Sequence, residues 1–277
     1  MNQTKNVIVC ADDFAVNASV SHGIAELAEA HLISAASVMV LSPRWPQDAA
    51  LLKPLRGSMD VGLHLDWTSD FALAASHGLS LGVAMCRAML GGFDVTQART
   101  VIERQLDLFE SHWQSVPDHV DGHQHVHQFA GIRSALVEVL ERRYGDQPHR
   151  PYLRISRPPP GPATLKARII AYMGACALKK IATNARLTGV TSLLGVYDFK
   201  GGPDHFGALM SHWLAQIPAG GIIMCHPAQA AETDDRMGVA RWQEFAYLGS
   251  SAFETALCRA GVTLGRGQET PAAKIIR

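Results

Sequence analysis

Charge imbalance is missing from this chain of 277 residues: Lys+Arg and Asp+Glu both total 25, so the formal net charge is zero at pH 7. No overall basic field exists to draw in nucleic acid or an anionic membrane, and neither is expected as a partner. Charged residues are few, 18% against 47% hydrophobic, which excludes a disordered chain and supplies apolar surface for a core. Cysteine is sparse too. Cys10, Cys86, Cys176, Cys225 and Cys258 are odd in number, widely spaced and free of any CxxC. That argues against a disulfide framework or a structural zinc finger and fits reduced thiols in a cytoplasm. Cys10 and Cys225 each follow an apolar run and read as buried small hydrophobes rather than nucleophiles. Long hydrophobic runs are lacking: Val7 to Ala11 is too short for a signal peptide, and the apolar helical run Ile169 to Leu178 stops at Lys179 and Lys180, short of the roughly 18 residues of a membrane span. No GxGxxG after the first strand, no GxxxxGK followed by Ser or Thr, and no HExxH occurs. The dinucleotide and P-loop cradles and the zincin helix therefore lack their mechanical parts.

What the chain has is alternation. Short apolar, β-rich segments at Val7 to Ala11, Ala35 to Val40, Val61 to Leu65, His119 to Asp121, Tyr152 to Ile155, Thr191 to Leu194, Gly221 to Cys225 and Val262 to Leu264 recur between helical patterns. Those helices include Val20 to Ala30, the stripe Ile102, Leu106, Phe109 and Trp113, and Ile132 to Arg143 with its basic C-terminal end. Strands alternating with helices imply parallel βαβ units, and their number approaches that of a (β/α) barrel. Pro158-Pro159-Pro160-Gly161-Pro162 must be an extended loop, since proline lacks the N–H donor and the φ freedom of a strand or helix interior. Because the alternation resumes beyond it without a shift in composition, residues 1–277 are expected to form a single domain.

Histidine stands out, with thirteen, three of them in His123-Gln124-His125-Val126-His127. Asp12 and Asp13 end the first strand, and three further strand ends carry His64, His123 and His226. In α/β proteins the carboxyl ends of the strands form the binding face. Successive strand residues point to opposite sides, so both aspartates can face one pocket only if the backbone turns there. The bland alternative has Asp13 or Asn17 capping the next helix and Asp12 merely solvated. Imidazoles with one carboxylate suit zinc, or another divalent ion that keeps its waters, and three protein ligands leave a position open for catalysis. Were residues 123–127 extended, their imidazoles would share a face, but one ligand is expected there, the others serving as hydrogen-bonding or surface groups.

Cys10-Ala11-Asp12-Asp13-Phe14, Asn17, Gly23-Ile24, Ser37-Val38-Met39, Gly62-Leu63-His64-Leu65, the run from Asp121 to His127, and Cys225-His226-Pro227 together resemble the YdjC-like family of carbohydrate deacetylases, in family order from about residue 7 to residue 265. The resemblance implies a distorted, TIM-like (β/α) barrel that holds one divalent ion, magnesium or zinc, and removes acetyl groups from N-acetylated sugars. By position it implies Asp13, His64 and His123 as metal ligands and Asp12 as the general base. Arg241 and Glu244 match a family pattern after the His-Pro motif without an assigned role. Ala15 stands where the family usually has Gly, Gly122 where Ser is usual, and Ala228 where Gly is common; none removes a ligand. The short, apolar segment between His64 and Thr96 is expected to shape the substrate mouth.

The expected activity is metal-dependent hydrolysis of the acetamide of an amino sugar. His226 is the candidate acid or stabiliser of the intermediate, against a ring packed beside Pro227, with His127 as second candidate and substrate contact. Trp67 is either a sugar platform or a loop anchor packed on Phe71. The alternatives are a metal-dependent phosphoesterase and a non-catalytic sugar-binding protein on the same barrel. Association into a homo-oligomer is left open.

Overall fold

The computed structural model describes residues 4–267. In chain order these form β1 (Lys5–Phe14), α1 (Ala18–Glu29), β2 (Ala35–Val38), α2 (Trp45–Leu52), β3 (Asp60–Leu65), α3 (Asp70–Ala74), α4 (Leu81–Met89), α5 (Val95–Trp113), β4 (His119–Gly122), α6 (Ile132–Tyr144), β5 (Tyr152–Arg154), α7 (Leu165–Tyr172), α8 (Ala175–Asn184), β6 (Gly189–Val190), β7 (Leu193–Leu194), α9 (Pro203–Gln216), β8 (Ile222–Cys225), α10 (Gly238–Leu248), α11 (Ser251–Ala260) and β9 (Val262–Leu264). The strands lie in the order β6-β5-β4-β3-β2-β1-β8-β7, with β9 beside the start of β1, and their pairings are parallel. Only Thr191 and Ser192 separate β6 from β7 at the two ends of this path, so the sheet curls into a nearly closed α/β barrel.

Period-two alternation sorts the side chains. Val7, Val9 and Ala11 of β1 pack outward with Val61, Leu63, Val120, Leu153 and Ile223 under the helices. Ile8, Cys10, Tyr152, Ile222 and Met224 turn into the barrel. Inside, the His119 ring stacks on Tyr152 at 5.2 Å and fills the space beside Gly62, where a Cβ would lie 2.4 Å from the ring. Cys10 and Cys225 are buried, and burial pushes both thiols well above their ordinary range. The α5 stripe Ile102, Leu106, Phe109 and Trp113 is wholly buried, as amphipathic periodicity requires.

Two local expectations are corrected. Thr191 to Leu194 is not one strand: the chain pairs with β5 through Gly189 and Val190, steps sideways, and pairs with β8 through Leu193 and Leu194. The helical run Ile169 to Leu178 breaks into α7 and α8 at Gly174, whose φ of 139° an α-helix does not admit. Residues 157–163 lie outside helices and strands. Among the described residues no helix is long and apolar enough to cross a membrane.

Candidate active site

The carboxyl ends of β1, β3, β4, β5 and β8 deliver polar side chains to one place. Asp12 follows Ile8 and Cys10 on the inward face of β1. By alternation Asp13 would face the helices, but φ is +66° at Asp13 and +74° at Ala15, and the pairing with β2 slips between Ala11 and Phe14. This left-handed turn brings the second carboxylate back to the first, at a cost of roughly 1–2 kcal/mol for each such non-glycine residue. Ala15 carries part of that strain. Asn17, not Asp13, caps α1, accepting from the Val20 N–H at 2.8 Å, so Asp13 remains available.

Asp13 Oδ1 lies 2.9 Å from His123 Nδ1 and 3.4 Å from His64 Nε2, and its Oδ2 accepts from Arg241 at 2.6 Å. One ligand atom from each of Asp13, His64 and His123 falls within 4.8 Å of the others. Burial opposes the charge on Asp13, but Arg241 and His123 hold its carboxyl well below the usual range. His64 is oriented from behind, its Nδ1 2.6 Å from Asp121 Oδ1. Asp121 Oδ2 in turn accepts from Ser37 Oγ at 2.7 Å and forms an ion pair with Arg154 at 2.7 Å. Burial disfavours a charged His64, yet the carboxylates of Asp121 and Asp12 push its pKa up to about 10. The local field therefore favours a cation at the open side of His64. Arg154 also forks onto both oxygens of Asp12, at 2.8 and 2.9 Å, fixing the plane of that carboxylate.

His226 follows β8. Its backbone N–H donates to Glu244 at 2.5 Å, and Tyr197 Oη donates to the other Glu244 oxygen at 2.7 Å. The imidazole rests edge-on against Phe199, its buried Nδ1 without a hydrogen-bond partner, and burial lowers its pKa to about 4. Burial raises Glu244 to about 7. Arg241 and Glu244, without a role in the sequence pattern, thus brace Asp13 and the His226 backbone.

Residues 123–127 are not extended. Left-handed Gln124 (φ 51°) and His125 (φ 62°) wind them into a 3-10 turn, and the imidazoles diverge. His123 goes to Asp13, His125 Nδ1 meets Ser156 Oγ at 2.9 Å, and His127 Nε2 donates to the Arg154 carbonyl at 2.8 Å. Gly122 permits the fold-back, since a Cβ there would stand 2.9 Å from the His127 backbone nitrogen.

Asp12, Asp13, His64, His123 and His226 border one cavity of about 460 Å³, within the usual size of small-molecule sites. Leu81 and Met85, from the segment expected to shape the mouth, line it as well. Trp67 and His127 do not. Trp67 is 2% exposed and packs against His77 and Phe93 rather than Phe71, and His127 is wholly buried behind β5. Both are placed as structural groups, because contact with a substrate would require the wall in front of them to open. Arg154 and Tyr197 went unnoticed in the sequence, and Ser37 and Asp121 stood there only as parts of motifs without an assigned role. For Arg154 a signal was present: a charged residue on the inward side of a strand, two positions after Tyr152.

The model of the YdjC-like protein family matches residues 6–259. The chain belongs to this family. A human carbohydrate deacetylase is 30% identical over 191 residues, 65% of this YdjC-like chain and 57% of that protein. A chitooligosaccharide deacetylase of Enterobacter sp. (strain 638) is 26% identical over 144 residues, 50% of the chain and 57% of that protein. The chain thus spans under two thirds of the length of these curated relatives. The crystal structure of an Enterococcus faecalis V583 protein described as a cellobiose-phosphate cleavage protein superposes with a TM-score of 0.68 at 17% identity, covering 96% of this chain and 98% of that one. That likeness shows the shared barrel.

Proposed function

We propose that this YdjC-like chain is a metal-dependent hydrolase that removes the acetyl group from N-acetylated amino sugars. The observation that carries the proposal is the convergence of Asp13, His64 and His123 beside Asp12 on the floor of one cavity. The names of the relatives, carbohydrate and chitooligosaccharide deacetylase, support the substrate class.

Two imidazoles and a carboxylate, with Asp121 behind His64, are a donor set that fits a divalent ion, and favours zinc over the all-oxygen preference of magnesium. When bound, the ion supplies Lewis acidity toward the acetamido carbonyl and toward water. Asp12 is the general base: Arg154 occupies one lone pair on each oxygen and Cys10 Sγ a second on Oδ1, while the carboxylate borders the cavity, where its Oδ2 can accept the proton of water. With a pKa near 4, His226 is neutral at pH 7 and stores few protons. Its role is to hydrogen-bond the reacting acetamide, so the proton that reaches the departing amine is the one Asp12 has taken. The test is acetate release from N-acetylglucosamine and its oligomers, with metal content measured on the same preparation. Full metal occupancy without acetate release from any acetylated sugar would overturn the proposal.

A further inference from the structure

Above its acid and imidazole floor the cavity changes character. Its walls are Met85, Phe129, Ile169, Ile170, Met173 and Val196. Polar side chains reach the walls too, but most have a polar atom already engaged: His125 with Ser156, Gln128 Nε2 with the Ile170 carbonyl, and Lys166 with the Tyr197 carbonyl, while Gln128 Oε1 and the exposed Gln124 remain as polar atoms there. A second pyranose ring placed there would bury more hydroxyls than these few groups can partner. A hydrocarbon would lose nothing, and the unbranched side chains of Met85 and Met173 adapt to one.

The apolar surface also continues outward. Leu165, Ile169 and Tyr172 lie at i, i+4 and i+7 on α7 and are 72%, 44% and 85% exposed. Leu165 and Ile169 belong at once to this stripe and to the cavity lining, so the apolar path runs unbroken from the floor to the outer face of the helix. An exposed apolar stripe joined to a binding cavity marks an interaction site more than scattered surface residues do.

We propose that the amino sugar this site receives carries a hydrocarbon aglycone, alkyl or isoprenoid, which lies along the Met85 and Ile169 wall and leaves over α7. The proposal rests on the deacetylase reading above and makes the substrate an amphiphilic glycoconjugate rather than a free oligosaccharide.

The test compares octyl and methyl β-glycosides of N-acetylglucosamine, below the micelle concentration, with di-N-acetylchitobiose. The octyl glycoside is expected to show kcat/KM at least about tenfold above the methyl one, less than full burial of the extra methylenes would bring. The double variant Leu165→Ser, Ile169→Ser, both at solvent-exposed positions, should bring that ratio close to one. An octyl-to-methyl ratio near one in the parent, a ratio the double variant leaves unchanged, or di-N-acetylchitobiose as the best substrate would overturn the proposal. Calorimetric binding of the same three compounds separates the two readings. If none releases acetate, the deacetylase reading falls, while tighter binding of the octyl glycoside still decides for the aglycone and equal binding decides against it.

Discussion

The two ends of the barrel both bury carboxylates against an arginine, and only one of them is built as a site. At the amino end, Asp60 accepts from Arg266 Nε at 2.9 Å, from Tyr152 Oη at 3.0 Å and from the Gly267 N–H at 2.6 Å, while Asp118 accepts from the Val61 N–H at 2.8 Å. Donors of the chain itself occupy these oxygens. At the carboxyl end, Asp13 and His64 are braced from behind by Arg241 and Asp121, and their remaining ligand atoms meet at a cavity floor. Buried charge is therefore not the mark of the site; convergence from separate strands on an open point is.

The largest effect should come from removing that convergence. His64→Ala or Asp13→Asn should abolish bound divalent ion and activity together, on the order of a thousandfold or more, since the three-ligand set leaves no spare donor. Metal analysis beside acetate release checks it, and unchanged stoichiometry would sink the ligand assignment. Asp12→Asn should keep the ion and lose on the order of a hundredfold in turnover, the share of a positioned base. One step down, Asp121→Asn should cost roughly 10–100-fold in metal affinity or rate, because it orients His64 without touching the ion. Asp60→Asn is the counterpart at the other end: it should lower stability by roughly 1–3 kcal/mol and leave turnover per folded molecule as it was. Equal loss of turnover in the two variants would erase the distinction between the ends.

The ends also differ in how pH acts on them. His127 and His226 at the carboxyl end are both lowered to about 4 by burial, against roughly 6.5 in the unfolded chain. Protons then bind the unfolded state preferentially, so this stability is complete above pH 6.5 and is lost as pH falls toward 4. Glu244 and Asp118, raised by burial to about 7 and about 6, act in the opposite sense over the same window, so the imidazole share is read as a difference: relative to the chelated parent, His127→Gln should gain urea-derived stability as pH falls from 7 to 4. A parent-to-variant difference that stays constant over that range would contradict a buried neutral His127.

Much of this was legible in the residues. The strands ending on Asp12, His64 and His123 could be read because each is a run of inward and outward alternation that stops on a chemically marked residue. The meeting of Asp13 with Asp12 could be stated only as a condition, a backbone turn, which the positive φ values supply. Less was visible where two residues make a strand, as at Leu193 and Leu194, since two positions define no period. Nor could Trp67 be placed, because a tryptophan after a strand has the same sequence whether it faces a sugar or, as here, Phe93. The bracing by Arg154 and Asp121 depends on which strands lie side by side, knowledge that belongs to the closed barrel.

The smallest effect concerns Asp118 at the amino end. Burial, and then the neighbouring Asp60 carboxylate, raise its pKa to about 6, so the folded state prefers it protonated. Its contribution to stability is complete below the unfolded value of roughly 3.9 and is lost as pH rises through 6. Asp118→Asn removes that loss and keeps an oxygen for the Val61 N–H. The side chain is 25% exposed, and solvent screening reduces the gain to on the order of 1 kcal/mol. The variant should therefore match the parent near pH 4 and exceed it at pH 8 in urea midpoint, with metal content and acetate release unchanged. If the two midpoints stayed equal at both pH values, the Asp118 carboxyl would not be under strain from Asp60, and the amino end would be as settled electrostatically as its hydrogen bonds suggest.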